Sequence, residues 1–140
     1  MANQVEVSIE IIFHATEDTR KVFDPIADIF QIKEEEFFLE KMTGHHGNPI
    51  LVFRTTLTKK RAEEFVRTLV SKILPAQLKE VLENLEMYFE DSSLFLRIGK
   101  GDLVSRVVSL QQNNAIKIRI KVPIYKKGDV VRTYTELLRQ

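Results

Sequence analysis

The side chains in this sequence best suited to chemistry are cations, and their most regular set lies towards the C-terminal end. Ala115–Tyr125 reads Ala-Ile-Lys-Ile-Arg-Ile-Lys-Val-Pro-Ile-Tyr. As an extended strand it sends Ile116, Ile118, Ile120 and Val122 to one side and Lys117, Arg119 and Lys121 to the other. Alternate residues on one strand face stand about 6.5–7 Å apart, close to the phosphate spacing of a nucleic-acid backbone. Three cations in a row can therefore track phosphates. Lys126 and Lys127 prolong the row past Pro123, and Arg97, Lys100 and Arg106 fall on strands or turns able to neighbour it. Tyr125 offers a stacking plane at the end of such a groove, a device used on single-stranded nucleic acid. A Lys-Arg-Lys strand face taken alone is commonly a solvated one, because edge strands carry Lys to block edge-to-edge pairing. From Arg97 to Arg132, however, nine basic residues face only two acids, Asp102 and Asp129, and like charges opposed on a sheet destabilise it unless something is gained.

Other chemistries find little support. His45 and His46 sit in the loop Gly44-His45-His46-Gly47-Asn48-Pro49, but adjacent residues rarely ligate one ion and no second His lies at helical spacing. That loop reads as structural or as an accessory RNA contact, and no metal or cofactor is expected. Glu34-Glu35-Glu36 is a run at a strand entrance, expected to be solvated. Gly99-Lys100-Gly101-Asp102 lacks the spacing and strand-to-helix context of a phosphate-binding loop and reads as a turn. With no Cys and three His, thiolate sites and cysteine nucleophiles are excluded, and no catalytic triad or dinucleotide fingerprint is present. No catalytic residue is assigned; the sequence favours binding over catalysis.

Composition agrees with that class. The chain has 140 residues, 44% hydrophobic and 29% charged, with 5 Gly and 4 Pro, as expected of a soluble globular protein. A chain of this length buries roughly two-thirds of its unfolded surface, and no linker divides it, so one domain over residues 1–140 is expected. No apolar run approaches a membrane span and the opening residues lack a secretory pattern, which points to the cytoplasm. The formal net charge of +1 hides an asymmetry. Residues 1–96 hold 11 Lys+Arg against 17 Asp+Glu, whereas residues 97–140 hold 10 against 3. Such a split suggests a surface for phosphates or acidic partners.

The elements that must position the cations follow from periodicity. Val5–His14 alternates as a half-buried strand. Thr16 is placed to cap a helix carrying Val22, Phe23, Ile26, Ile29 and Phe30, in which Pro25 either kinks the helix or starts a second one capped by Asp24. Glu35–Thr43 and Ile50–Leu57 read as a hairpin. A helix from Thr58 with Ala62, Phe65, Val66, Leu69, Val70 and Ile73 on one face ends at Pro75, which opens another helix. Leu94–Ile98, Leu103–Leu110 and Ala115–Val122 are strand candidates, and Val130–Leu138 has helical spacing. The order β-α-β-β-α-α-β-β-β-α predicts an α+β fold, a largely antiparallel sheet with helices packed on one face and the other face partly open.

His14-Ala15-Thr16-Glu17-Asp18, the Gly44–Ile50 loop and the Leu94-Phe95-Leu96-Arg97 strand leading to a Lys turn together resemble the archaeal RNA-binding family described as predicted exosome subunits. The resemblance covers most of the chain, and Gly-His-x-Gly-Asn-Pro is its most specific part. It implies an α+β fold similar to the ribosomal protein that holds 5S rRNA, an archaeal cytoplasm, and RNA binding linked to RNA processing or ribosome assembly. The expectation is a non-catalytic RNA-binding protein that contacts RNA through the cations named above. The alternative is an interaction or assembly module that docks an acidic protein on its basic face and self-associates, as a homodimer, through an apolar edge.

Overall fold

Strict alternation builds β1 (Glu6–His14), whose Val7, Ile9, Ile11 and Phe13 are buried while Glu6, Glu10 and Ile12 point elsewhere. The structure, a computed structural model, describes residues 4–139; the opening Met1–Asn3 and the Lys127 side chain lie outside the described residues. β1 pairs antiparallel with β3 (Pro49–Thr58) on one side and β6 (Ala115–Lys121) on the other. β2 (Phe38–Thr43) and β4 (Phe89–Glu90) complete a six-stranded sheet with β5 (Ser93–Gly99), in the order β2-β3-β1-β6-β5-β4, every pair antiparallel. The helices are α1 (Arg20–Phe30), α2 (Lys59–Lys72), α3 (Pro75–Glu83), α4 (Lys100–Val104) and α5 (Val130–Leu138). The fold is the α+β class expected, with its apolar core between the helices and one face of the sheet.

That core explains the helix faces. Ala62, Phe65, Val66 and Leu69 of α2 are buried, and each large apolar side chain removed from water contributes about 1.5–3 kcal/mol. Under α1 the rings interlock: Phe23 meets Phe53 at 4.9 Å and Phe37 at 5.2 Å between centroids, both edge-to-face. α5 is fixed by Tyr134, fully buried, whose single hydroxyl proton is shared between the carbonyls of Ser92 at 2.6 Å and Ile120 at 3.1 Å. It thereby ties the last helix to the β4–β5 turn and to β6.

Four expectations need correction. α1 starts at Arg20, and the side chain that meets its first turn is Asp18, which accepts from the Arg20 N–H at 3.1 Å, not Thr16; Pro25 sits inside one continuous helix. β2 begins at Phe38 because Glu34–Glu36 form a 3₁₀ turn closed by Glu36, which accepts from the Lys33 N–H at 2.9 Å and pairs with Arg61. Gly99–Asp102 is not a turn: Gly99 ends β5 and α4 starts at Lys100 directly after it. Leu103–Leu110 is not a strand: α4 ends there, with Arg106 N–H bonded to Leu103 O at 2.8 Å and Val107 N–H to Asp102 O at 3.0 Å. This is a Schellman ending with Arg106 at φ 61°, the left-handed position usually given to Gly. Beyond it only single bridges form, Val108 to Ile73 and Leu110 to Ile98.

Candidate nucleic-acid interface

On the second face of the sheet the alternate residues of β6 are exposed. The antiparallel register sets residues of this face side by side: Arg97, Lys117 and Glu10 in one row, Phe95, Arg119 and Ser8 in the next, Ser93, Lys121 and Glu6 in the third. Lys117, Arg119 and Lys121 are exposed between buried Ile116, Ile118 and Ile120. Strand β6 is an interior strand, between β1 and β5, so protection of a free edge does not account for its cations.

Partners decide which cations are free to meet a ligand. Lys117 lies 3.9 Å from Glu10, a carboxylate that Arg54 already holds at 2.9 Å. Arg119 donates from Nε to Ser93 Oγ at 3.0 Å and stands 5.9 Å from the Phe95 ring centre. The serine fixes the guanidinium without neutralising it. Arg97, Arg119, Lys121 and Lys126 have no carboxylate partner among the described residues. A depression of about 250 Å³ runs over Ser8, Thr56, Phe95, Lys117 and Arg119. It shares Phe95 and Lys117 with a cleft of about 600 Å³ along the β5 edge.

Several residues expected beside this row are not in it. Lys100 is buried, 6% exposed, with its ammonium bonded to Ile12 O at 2.7 Å and Glu17 Oε2 at 3.0 Å and 4.8 Å from the Phe13 ring centre. It stabilises the join between β1 and α4 and has no surface to offer RNA. Arg106 reaches Asp28 of α1 at 2.6 Å, on the helical side. Lys126 and Tyr125 are exposed, Tyr125 at 84%, in the segment that leaves β6 beyond the buried Val122. The His45-His46 loop joins β2 to β3, so β3 and β1 separate it from β6. Its shape has a backbone cause: Gly47 takes φ 80°, and a Cβ on Gly44 would stand 2.6 Å from the Asn48 side chain. Among the described residues no group of three His, Asp or Glu side chains is placed to hold a metal ion.

Phe95 is the residue the sequence reading missed. It is an aromatic on the open face, half-buried, between Arg97 and Arg119. Its position was available from parity alone, since Phe95 alternates with Leu94, Leu96 and Ile98 and so shares a face with Arg97. At the other end of the same face the character changes: Phe38, Met42 and Ile12 are 75%, 47% and 47% exposed, giving an apolar patch around the Glu40–Arg54 pair.

The fold is that of an α+β protein with a six-stranded antiparallel sheet, on which β6 exposes Lys117, Arg119 and Lys121. The chain belongs to the family described as RNA binding, whose model matches residues 6–122. It is 28% identical to a Pyrococcus abyssi protein named as an RNA-binding protein, over 94% of this chain and 92% of that one. Among solved structures, a protein of Archaeoglobus fulgidus is similar at 29% identity and TM-score 0.81, over 94% of this chain and 97% of that one. One from Methanothermobacter thermautotrophicus matches at 26% identity and TM-score 0.74, over 95% and 96%.

Proposed function

We propose that this chain binds RNA without catalysing a reaction on it, seating a phosphodiester backbone on Arg97, Lys117, Arg119 and Lys121 with Phe95 as a stacking plane. The observation that carries the reading is the register of β5, β6 and β1, which lines up these four exposed cations on one face of the sheet, three of them without a carboxylate partner among the described residues. Membership of an RNA-binding family supports it. Fluorescence anisotropy of a labelled single-stranded oligoribonucleotide at several salt concentrations tests it. With four phosphates neutralised, log K falls against log salt with a slope of about −2.8. Replacing Arg97, Arg119 and Lys121 by Gln leaves a slope of about −0.7, while Arg106→Gln, on the helical side, leaves it at the wild-type value. A triple variant with an undiminished slope overturns the reading. The likeness to predicted exosome subunits supports a setting in RNA processing or ribosome assembly, tested by co-purification with those particles.

The apolar patch of Phe38, Met42 and Ile12 favours a second reading, an assembly module for an acidic protein partner or a second copy. Partners retained from lysate after nuclease digestion would support it against the first.

A further inference from the structure

We infer that the cleft along the β5 edge receives one unstacked nucleobase, which makes single-stranded RNA the ligand class of the open face; this rests on the RNA-binding reading above. The cleft, about 600 Å³, lies between α3, the Met87–Glu90 segment and Leu110–Gln112, and reaches the open face at Phe95, Arg97 and Lys117. That volume is in the range of sites that enclose small organic groups. Phe95 and Lys117 also line the depression beneath Arg119, so a strand lying in the depression runs into the cleft.

Charge selects which part of a nucleotide enters. Arg97 and Lys117 line the cleft from β5 and β6, Glu80 and Glu90 from α3 and β4. Glu80 accepts the Tyr88 hydroxyl, whose pKa is pushed up to about 12 by burial and by that carboxylate, so the phenol keeps its proton and stays a donor to Glu80. Two carboxylates repel a phosphate, which therefore stops at Arg97 and Lys117, and the uncharged base is the part that passes. There the base meets the part-exposed rings of Phe95 and Tyr88, with the exposed Met87 at the rim. The Gln112 amide and the Glu90 carboxylate, without hydrogen-bond partners among the described residues, are placed for its polar edge. A carboxylate only accepts, so it takes the exocyclic amino group of adenine or cytosine, the N3–H of uracil, or the adjacent N1–H and amino group of guanine, the one base with two donors side by side for its two oxygens. A base held in a duplex cannot enter without losing its pair.

The test compares oligo(A), oligo(C), oligo(U) and a matched RNA duplex on wild-type protein, Arg119→Ala and the plugging variant Ala76→Trp, whose indole fills the cleft from an exposed position of α3. Ala76→Trp is expected to weaken oligo(A), oligo(C) and oligo(U) by roughly 5- to 150-fold, the range for one stacked base, and to leave duplex affinity unchanged; Arg119→Ala weakens every RNA. On the wild-type protein, single 2-aminopurine substitutions along the oligonucleotide are expected to lose fluorescence at one position, a readout independent of how the variant folds. Equal effects of the plug on single strands and duplex, no effect on either, or no 2-aminopurine response overturn the cleft assignment while leaving RNA binding intact. Binding of a basic peptide in the cleft instead of a base overturns it too. No RNA binding by the wild-type protein overturns both readings.

Discussion

Replacing Lys100 by Met separates a scaffold lysine from an RNA-contacting one. The substitution keeps an unbranched apolar stem of similar length and removes the ammonium that bridges Ile12 O, Glu17 and the Phe13 ring. A hydrogen bond from a charged donor contributes about 1.5–3 kcal/mol, and a desolvated cation over an aromatic ring about 1–2 kcal/mol. The Glu17 side chain is 33% exposed, so screening holds that ion pair to about 1 kcal/mol or less. Allowing for non-additivity and for the apolar contact that Met regains, the expected loss is about 3 kcal/mol. Urea unfolding followed by circular dichroism measures it, with the slope against denaturant unchanged. At a temperature where the variant remains folded, its RNA affinity and salt slope match the wild type. A loss under about 1 kcal/mol, or weakened RNA binding with stability retained, refutes the buried bridge.

Three further outcomes follow from local geometry. Asp91 and Ser92 both have positive φ, 51° and 68°, in the two-residue turn joining β4 to β5, so Ser92→Gly should stabilise the protein by about 0.5–1 kcal/mol in thermal melts. Tyr134→Phe leaves the Ser92 and Ile120 carbonyls without their buried donor and should cost about 1–2 kcal/mol. The Arg61 guanidinium, then the Lys33 backbone N–H, holds the Glu36 carboxyl below its usual range. A depressed carboxylate pKa contributes stability that is present at neutral pH and lost as pH falls below about 4. Glu36→Gln should therefore be less stable than wild type by about 0.5–1 kcal/mol at pH 7, and the two melting curves should converge in acid.

The long periodic elements were legible because period and burial agree in them: β1, β3 and β6 alternate cleanly, and the α2 stripe is its buried face. Leu103–Leu110 was not, because its β-branched residues read as a strand while the helix end before it is signalled by an Arg at a left-handed position where Gly would have announced it. Charge was harder to read than periodicity. Lys117, Arg119 and Lys121 share a face by strand parity alone. Whether Lys100 or Arg106 joins them depends on Glu17 and Asp28, acids distant in sequence that only the tertiary fold brings near. Phe95 was hidden by its apolar neighbours: in Ser-Leu-Phe-Leu-Arg-Ile-Gly the eye groups it with the core, although its parity is that of Arg97.

The placement of β6 also sets a schedule for the growing polypeptide. Its partners in β1 lie more than a hundred residues upstream, Glu6 opposite Lys121 and Glu10 opposite Lys117. Until synthesis has passed Lys121, the β2-β3-β1 and β5-β4 halves have no strand to join them, and late closure of so distant a pairing is entropically slow. A nascent chain thus emerges with the sheet in two unjoined parts, and Lys117, Arg119 and Lys121 come to stand beside Arg97 only when β6 threads into the gap.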